Sequence, residues 1–257
     1  MKRTLVIGII GLAAVIGVVF SAPDAHEFGK ISLPLGKVQV KTESGTEWER
    51  AMPNRKVYEG DVIRTLEKSR CEITLSTGGK VRIGADSELE LNSADVKPME
   101  KNYQAKLTKG NAWVSAKAAF GEKKNVSIRT PTAVAAIRGT VYRTKADEDE
   151  SSVMVYDGKV AVNQSTNVDE KTGEAKSDKP GEGGKPKFKL GPVQEVQAPT
   201  EVAGPYEVSL EDWITLVKGM QINVRKDGKY SMFQFDQAAD SSLDFVKWNQ
   251  ELDAETK

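Results

Sequence analysis

The chain has 257 residues, with 37 Lys plus Arg against 37 Asp plus Glu, 29% charged and 7% aromatic residues, one Cys and one His. That length is enough to bury a real core, as one large domain or two small ones. The balanced charge argues against a general attraction to nucleic acid or an acidic membrane, and the lone Cys71 and lone His26 exclude an intrachain disulfide framework and a Cys/His zinc site.

The chain opens on "MKRT", then 16 uninterrupted apolar residues from Leu5 to Phe20, then "SAPDA". A charged start, an apolar stretch and small residues make the pattern of a secretory signal, so export with cleavage near Ser21 to Ala25 is expected. As a helix the apolar run reaches about 24 Å, short of a hydrocarbon core of about 30 Å. Flanking Thr4, Ser21, Ala22 and Pro23 could lengthen it, which leaves an uncleaved inner-membrane anchor as the alternative. Residues 1–22 are therefore read as signal peptide or anchor.

From residue 30 to 163 the sequence is a series of short alternating runs. "GKVQVKT" puts Val38 and Val40 on one face, "CEITL" and "GGKVRI" put Ile73, Leu75, Val81 and Ile83 inward around an "STGG" turn, and "SELELN" continues through Leu89 and Leu91. "YQAKLTKGNAWVSA" carries Leu107, a turn predicted at "KGN", then Trp113 or Val114. In "VMVYDGKVAV" the pair Asp157-Gly158 predicts a tight hairpin. Runs of this length with frequent turn signals predict a mainly β fold of stacked short strands, a sandwich or a β-helix-like stack. Cys71 alternates with Ile73 and Leu75 and is expected to be a buried free thiol.

Residues 164–187 hold one large apolar residue among Lys, Glu, Gly, Ser and Pro, and read as a flexible polar linker. Residues 188–257 read as a small α+β extension. Within it "SLEDWITLVKGMQI" predicts a helix capped by Ser209, with acidic Glu211 and Asp212 in its first turn and a stripe of Leu210, Trp213, Ile214, Val217 and Met220. "INVRKDGKYSMFQF" predicts a hairpin at Asp227-Gly228, and "SSLDFVKWNQELD" a short amphipathic helix with Leu243, Val246 and Trp248 on one side.

No catalytic template fits. A hydrolase triad lacks a base, since the only His is at the N-terminal edge. "STGGK" and "GEGGK" lack the flanking helix and the Ser or Thr of a phosphate loop. Glu88 and Glu90 read as a solvated strand face, and "ADEDE" at 146–150 as a charged turn without the spaced ligands of a calcium loop. No catalytic residue, cofactor or metal is assigned.

One stretch asks for its own account: "IRTPTAVAAIRGTVYRT". Pro131 fixes φ, removes a ladder donor and extends Thr130, so a strand ends or bends there. "AVAAI" suits close backbone approach, and Gly139 permits a conformation closed to other residues before alternation restarts at "TVYRT". Arg138 is expected to pair with a carboxylate or with backbone carbonyls, tying layers of the sheet together or receiving a partner.

"TPTAVAAIRGT" resembles the signature of the FecR domain, a family named for the ferric-citrate signalling regulator. The block from Trp48 to Leu91 resembles its central portion, with Trp48, Ala51, Gly60, Asp61, Ile63, Arg64, Thr65, Ser69 and Gly79 where the family pattern expects them. "LTKGNAWV" and "VMVYDGKVAV" complete a resemblance over residues 30–163. The resemblance implies an extracytoplasmic, all-β bacterial envelope domain that acts through protein contacts. Gly60, Asp61, Arg64, Thr65, Thr130, Pro131, Arg138, Gly139 and Thr140 are its motif residues here, in structural or partner-binding roles. Because only "MKRT" precedes the apolar run, the chain is not expected to reach a sigma factor itself. The expectation is an exported periplasmic or surface binding protein, a scaffold or sensor for an envelope protein or cell-wall polymer, with the C-terminal part as docking element or lid. A membrane-anchored signalling accessory related to iron uptake and, more remotely, a carbohydrate-active enzyme on a β scaffold are the alternatives.

Overall fold

The alternating runs become ladders because each places one apolar face on a common interior. The computed structural model describes residues 26–116, 123–138, 140–165, 208–209 and 213–255. The first strands are β1 (Glu27–Leu35), β2 (Val38–Lys41), β3 (Glu49–Arg50), β4 (Lys56–Tyr58), β5 (Val62–Thr65), β6 (Arg70–Leu75), β7 (Lys80–Ile83), β8 (Glu88–Val96) and β9 (Glu100–Ser115). They are followed by β10 (Lys123–Arg129), β11 (Ala133–Arg138), β12 (Val141–Ala146), β13 (Glu150–Asp157), β14 (Lys159–Gln164), β15 (Val208–Ser209), β16 (Ile214–Val217), β17 (Met220–Arg225) and β18 (Lys229–Gln234). Two helices close the chain, α1 (Gln237–Ser241) and α2 (Asp244–Glu255).

The strands form two sheets face to face. Sheet A runs β4-β1-β6-β7-β9-β12-β13-β17-β18-β15. Sheet B runs β3-β2-β5-β8-β9-β10-β11-β14-β16. All pairs are antiparallel except β9 with β10, which is parallel. Ile73, Leu75, Val81, Ile83 and Val114 from sheet A meet Val40, Ile63, Leu89, Leu91 and Leu107 from sheet B in one buried core. Phe28 of sheet A packs edge-on to Tyr103 of sheet B, with centroids 5.3 Å apart. The mainly β expectation holds, and Val38, Val40 and Cys71 lie inward as the alternation predicts.

Strand β9 belongs to both sheets. Up to Lys109 it pairs with β8, and β10 lies on its other side as far as Lys106. From Gly110 onward it pairs with β12, and from Ala112 with β7 as well. The predicted "KGN" turn is therefore no reversal. Gly110 sits at φ 93°, and the chain bends there without turning back. The bend also exchanges the faces: Tyr103, Ala105 and Leu107 point inward before it, Ala112 and Val114 after it. Trp113 is thereby sent to the opposite face of sheet A.

A second group of corners carries the chain from one sheet to the other. β11 lies in sheet B and β12 in sheet A; β13 lies in sheet A and β14 in sheet B; β16 lies in sheet B and β17 in sheet A. Asp157-Gly158, predicted as a hairpin, is one of these arches, because β13 and β14 pair with other strands and not with each other. The Asp227-Gly228 corner is a true hairpin, joining β17 to β18 within sheet A. The acidic run ends in the β12–β13 turn, where Asp147 Oδ1 accepts the N–H groups of Asp149 and Glu150.

The helix predicted at 209–220 does not form. Ile214–Val217 is a strand on the edge of β14, and Met220–Arg225 another on β13, with Lys218-Gly219 between them. Leu216 is buried while Thr215 and Val217 are exposed, a period of two that the β-branched Ile, Thr and Val suit. Leu210–Asp212 lie outside the described residues. The C-terminal strands thus extend both sheets, and among the described elements α1 and α2 stand outside them. In α2 the buried positions are Val246 and Asn249; Leu243, expected on the apolar side, precedes the helix and is exposed. The signal or anchor segment 1–22 and nearly all of the linker 164–187 lie outside the described residues.

Candidate binding face

The family-motif residues are distributed over several corners of the sandwich. Asp61 closes the β4–β5 turn: its Oδ2 accepts the Tyr58 N–H at 3.0 Å, and its own N–H reaches the Tyr58 carbonyl. Burial pushes the Asp61 carboxyl above its ordinary value, against the backbone hydrogen bonds it accepts from Tyr58 and Glu43 and against nearby Arg55. Gly60 in the same turn donates its N–H to the Leu91 carbonyl. Thr65 is buried; its Oγ1 donates to the Gly84 carbonyl and accepts the Ser87 N–H, binding β5 to the turn before β8.

"TPTA" makes the β10–β11 hairpin. Thr130 Oγ1 accepts the Ala133 N–H and donates to the Ala133 carbonyl, both at 2.9 Å, with Pro131 exposed at the tip. Thr140 Oγ1 donates to the Lys159 carbonyl and so links two of the sheet-to-sheet arches. Arg138 ends β11, but its side chain and the whole of Gly139 lie outside the described residues. Arg64 lies half-exposed on the outward face of sheet B. Its Nε donates to Gln39 at 2.9 Å and its guanidinium lies 3.8 Å over the Trp48 ring, with Lys41 on the same ring at 5.3 Å.

The outward face of sheet A carries a set of charges that sequence reading missed. Arg70 on β6, Arg82 on β7 and Arg143 on β12 each take an Asp from the C-terminal helical segment. Arg70 pairs with Asp244 and Arg143 with Asp240. Arg82, only 1% exposed, donates to Asp253 at 2.6 Å and to Glu72 at 2.7 Å. Glu72 also accepts from Lys80 at 2.7 Å and Ser32 at 2.6 Å. Burial pushes the Glu72 carboxyl up, but the hydrogen bonds from Lys80, Ser32 and Arg82 together outweigh it and hold it below its ordinary value.

Aromatic rings floor this face. Trp113 Nε1 donates to Asp253 at 3.0 Å, and its ring lies 4.4 Å from Tyr156, whose hydroxyl donates to Asp240. Phe235 meets Tyr156 edge-on at 5.4 Å. Burial drives the Tyr156 hydroxyl well above its ordinary value, so it stays a donor. Beside α2 a groove of about 520 Å³ opens between Lys80, Lys218, Asp157 and Gln250. The Asp–Arg contacts join residues more than 95 positions apart, such as Arg143 with Asp240 at a separation of 97. In the sequence the available sign is acid crowding in the last twenty residues opposite Arg in alternating strands.

Among the described residues no group of three or more His, Cys, Asp or Glu is placed to hold a metal ion. Glu88 stands across the ladder from Arg64, and Glu90 from Lys106, as a strand face.

Residues 61–161 match the family model described as "FecR protein". No curated protein matches the chain. Two crystal structures of a candidate anti-sigma factor from Parabacteroides distasonis, at 1.65 and 2.50 Å resolution, are similar at 17% identity and a TM-score of 0.43. Each similarity spans 68% of this chain and 60% of the other.

Proposed function

The chain carries a FecR domain over residues 61–161, and from this we propose that the protein is a non-catalytic, signalling-related binding protein of the bacterial envelope. It is exported through residues 1–22 and holds a regulatory protein partner. The observation that carries this reading is where the family segment lies. It supplies the central strands of both sheets, and Asp61, Thr65, Thr130 and Thr140 use their polar atoms on neighbouring backbone. What the domain then offers outward is broad sheet faces, which suit a polypeptide better than a small substrate. A cell-wall polymer is the other ligand such a face could hold.

Two measurements test the proposal together. N-terminal sequencing of the protein from an envelope fraction should find a start near Ala22 or Asp24. A photocrosslinking residue in place of Ser127 or Gln250, on opposite faces, should capture one discrete envelope protein in live cells. Residence in the cytosol, or crosslinks to no protein from either face, would overturn it, and co-sedimentation with purified cell wall alone would replace the protein partner with the polymer.

A further inference from the structure

The C-terminal helices are held on sheet A in an unusual manner. Their fully buried apolar contribution is one side chain, Val246. Half-buried Phe245 packs beside it on the Trp113 cluster, and the polar contacts are long-range in sequence: Asp240 to Arg143 and Tyr156, Asp244 to Arg70, Asp253 to Arg82 and Trp113. Between residues 236 and 255 there are six acidic residues, Asp236, Asp240, Asp244, Glu251, Asp253 and Glu255, against one basic residue, Lys247. An acidic helical segment therefore lies across three arginines contributed by three different strands.

We infer that the outward face of sheet A is a receptor for an acidic amphipathic helix of a partner protein, and that α1–α2 fills it in the free protein. This rests on the reading that the protein works by binding. The arginines are fixed by the sheet, so their spacing is preset whichever helix arrives. Arg143 keeps a buried Nε with no hydrogen-bond partner, so the resident segment leaves part of this receptor unsatisfied. The Asp244 side chain is 86% exposed, so its ion pair with Arg70 is screened by salt and opens readily. The groove beside α2 is walled by Lys80 and Lys218 together with Asp157 and Asp253, so it opens a polar space of balanced charge next to the resident helix. A competitor needs carboxylates at the spacings of Asp240, Asp244 and Asp253 and one apolar side chain for the Val246 position. Trp113 and Tyr156 supply the hydrogen-bond donors that tell such a helix from any acidic chain.

The test uses the full chain with Asp240→Asn, Asp244→Asn and Asp253→Asn together, and a fluorescein-labelled peptide of residues 235–255 as the partner surrogate. The variant should bind the peptide at least tenfold more tightly than the unmodified protein does, because its own segment no longer competes. Binding should weaken severalfold in about 0.5 M salt as the exposed Asp244–Arg70 pair is screened, and a peptide with the same three Asn should not bind. Hydrogen exchange on the unmodified protein gives a reading independent of any variant: rising salt should lower protection in the helices around Asp244 while β7 stays protected. Unchanged protection of the helices at high salt, or no peptide binding by a variant that keeps its β-sheet circular dichroism, would overturn the inference. A dimer that grows with concentration would make a second copy the occupant and overturn it as well. Failure here leaves the crosslinking and export results above untouched, so the two readings fall separately.

Discussion

Replacing Gly110 with Ala tests whether one bend in β9 holds the two sheets together. Gly110 sits at φ 93°, and an added Cβ would lie 2.1 Å from Ser87 Oγ and 2.6 Å from Ser87 Cα. The left-handed backbone costs about 1–2 kcal/mol for an L-residue, and forcing a methyl into a filled space costs about 1–3 kcal/mol. Ser87 cannot yield freely. It is fully buried, its Oγ accepts the Asn111 N–H at 3.0 Å and its N–H reaches Thr65 at 3.1 Å. Losing one such bond adds about 1 kcal/mol, for a total of about 3–6 kcal/mol. That is a large share of a typical domain stability of about 5–15 kcal/mol. Urea unfolding followed by fluorescence should show the midpoint fall with little change in slope. Adding Ser87→Gly should return part of the loss, since it removes the side-chain overlap and leaves only the contact with Cα. A loss below about 1 kcal/mol for Gly110→Ala would refute the argument, because neither the torsion nor the overlap could then be as described.

Four further outcomes are expected. Arg82→Met should cost about 3–5 kcal/mol by leaving Glu72 and Asp253 without their shared cation, and Glu72→Gln with Arg82→Met should cost less than the two changes summed, as read from denaturation midpoints. Glu72 is held below its ordinary 4.5, so its stabilising contribution is complete above that pH and is lost as pH falls through the lower folded-state value; the acid limb of the stability profile should be shallower in Glu72→Gln. Burial pushes the Cys71 thiol up from 9.0 to about 12, so the native state is favoured below pH 9 and loses stability as pH rises from there toward 12. Native Cys71 should resist thiol reagents, and Cys71→Ala should lack that alkaline loss. Thr130→Val should cost about 1–3 kcal/mol by leaving the Ala133 N–H unpaired, whereas Thr130→Ser should stay close to the parent in thermal unfolding.

Aspartate followed by glycine occurs at two corners where the local sequence predicts the same hairpin. At Asp227-Gly228 the chain reverses within sheet A; at Asp157-Gly158 it leaves sheet A for sheet B. Gly158 and Gly228 have nearly the same φ, 82° and 81°. The dipeptide sets a local bend, and the available sheet edges decide where the next strand lands. Residues 209–220 repeat the lesson. Their apolar positions fit a helical stripe as well as a strand, and the ladder offered by β14 to Ile214–Val217 settles the choice. The face exchange in β9 left a trace, since the buried positions pass from Leu107 to Ala112 and Val114, but a glycine between two runs reads equally as a turn.

The sequence alone determined which side chains face the interior along most strands, because a period of two is a property of neighbouring residues. It also determined the family resemblance of the central segment, through short motifs in which Asp61 and Thr130 close turns three residues from themselves. Only the tertiary structure decided how those strands divide between two sheets and which charges meet on the outside of sheet A. Arg70, Arg82 and Arg143 find their aspartates 97 to 174 residues away, and contacts at that separation are created by folding, since acid crowding near the C-terminus does not say which arginine each acid meets.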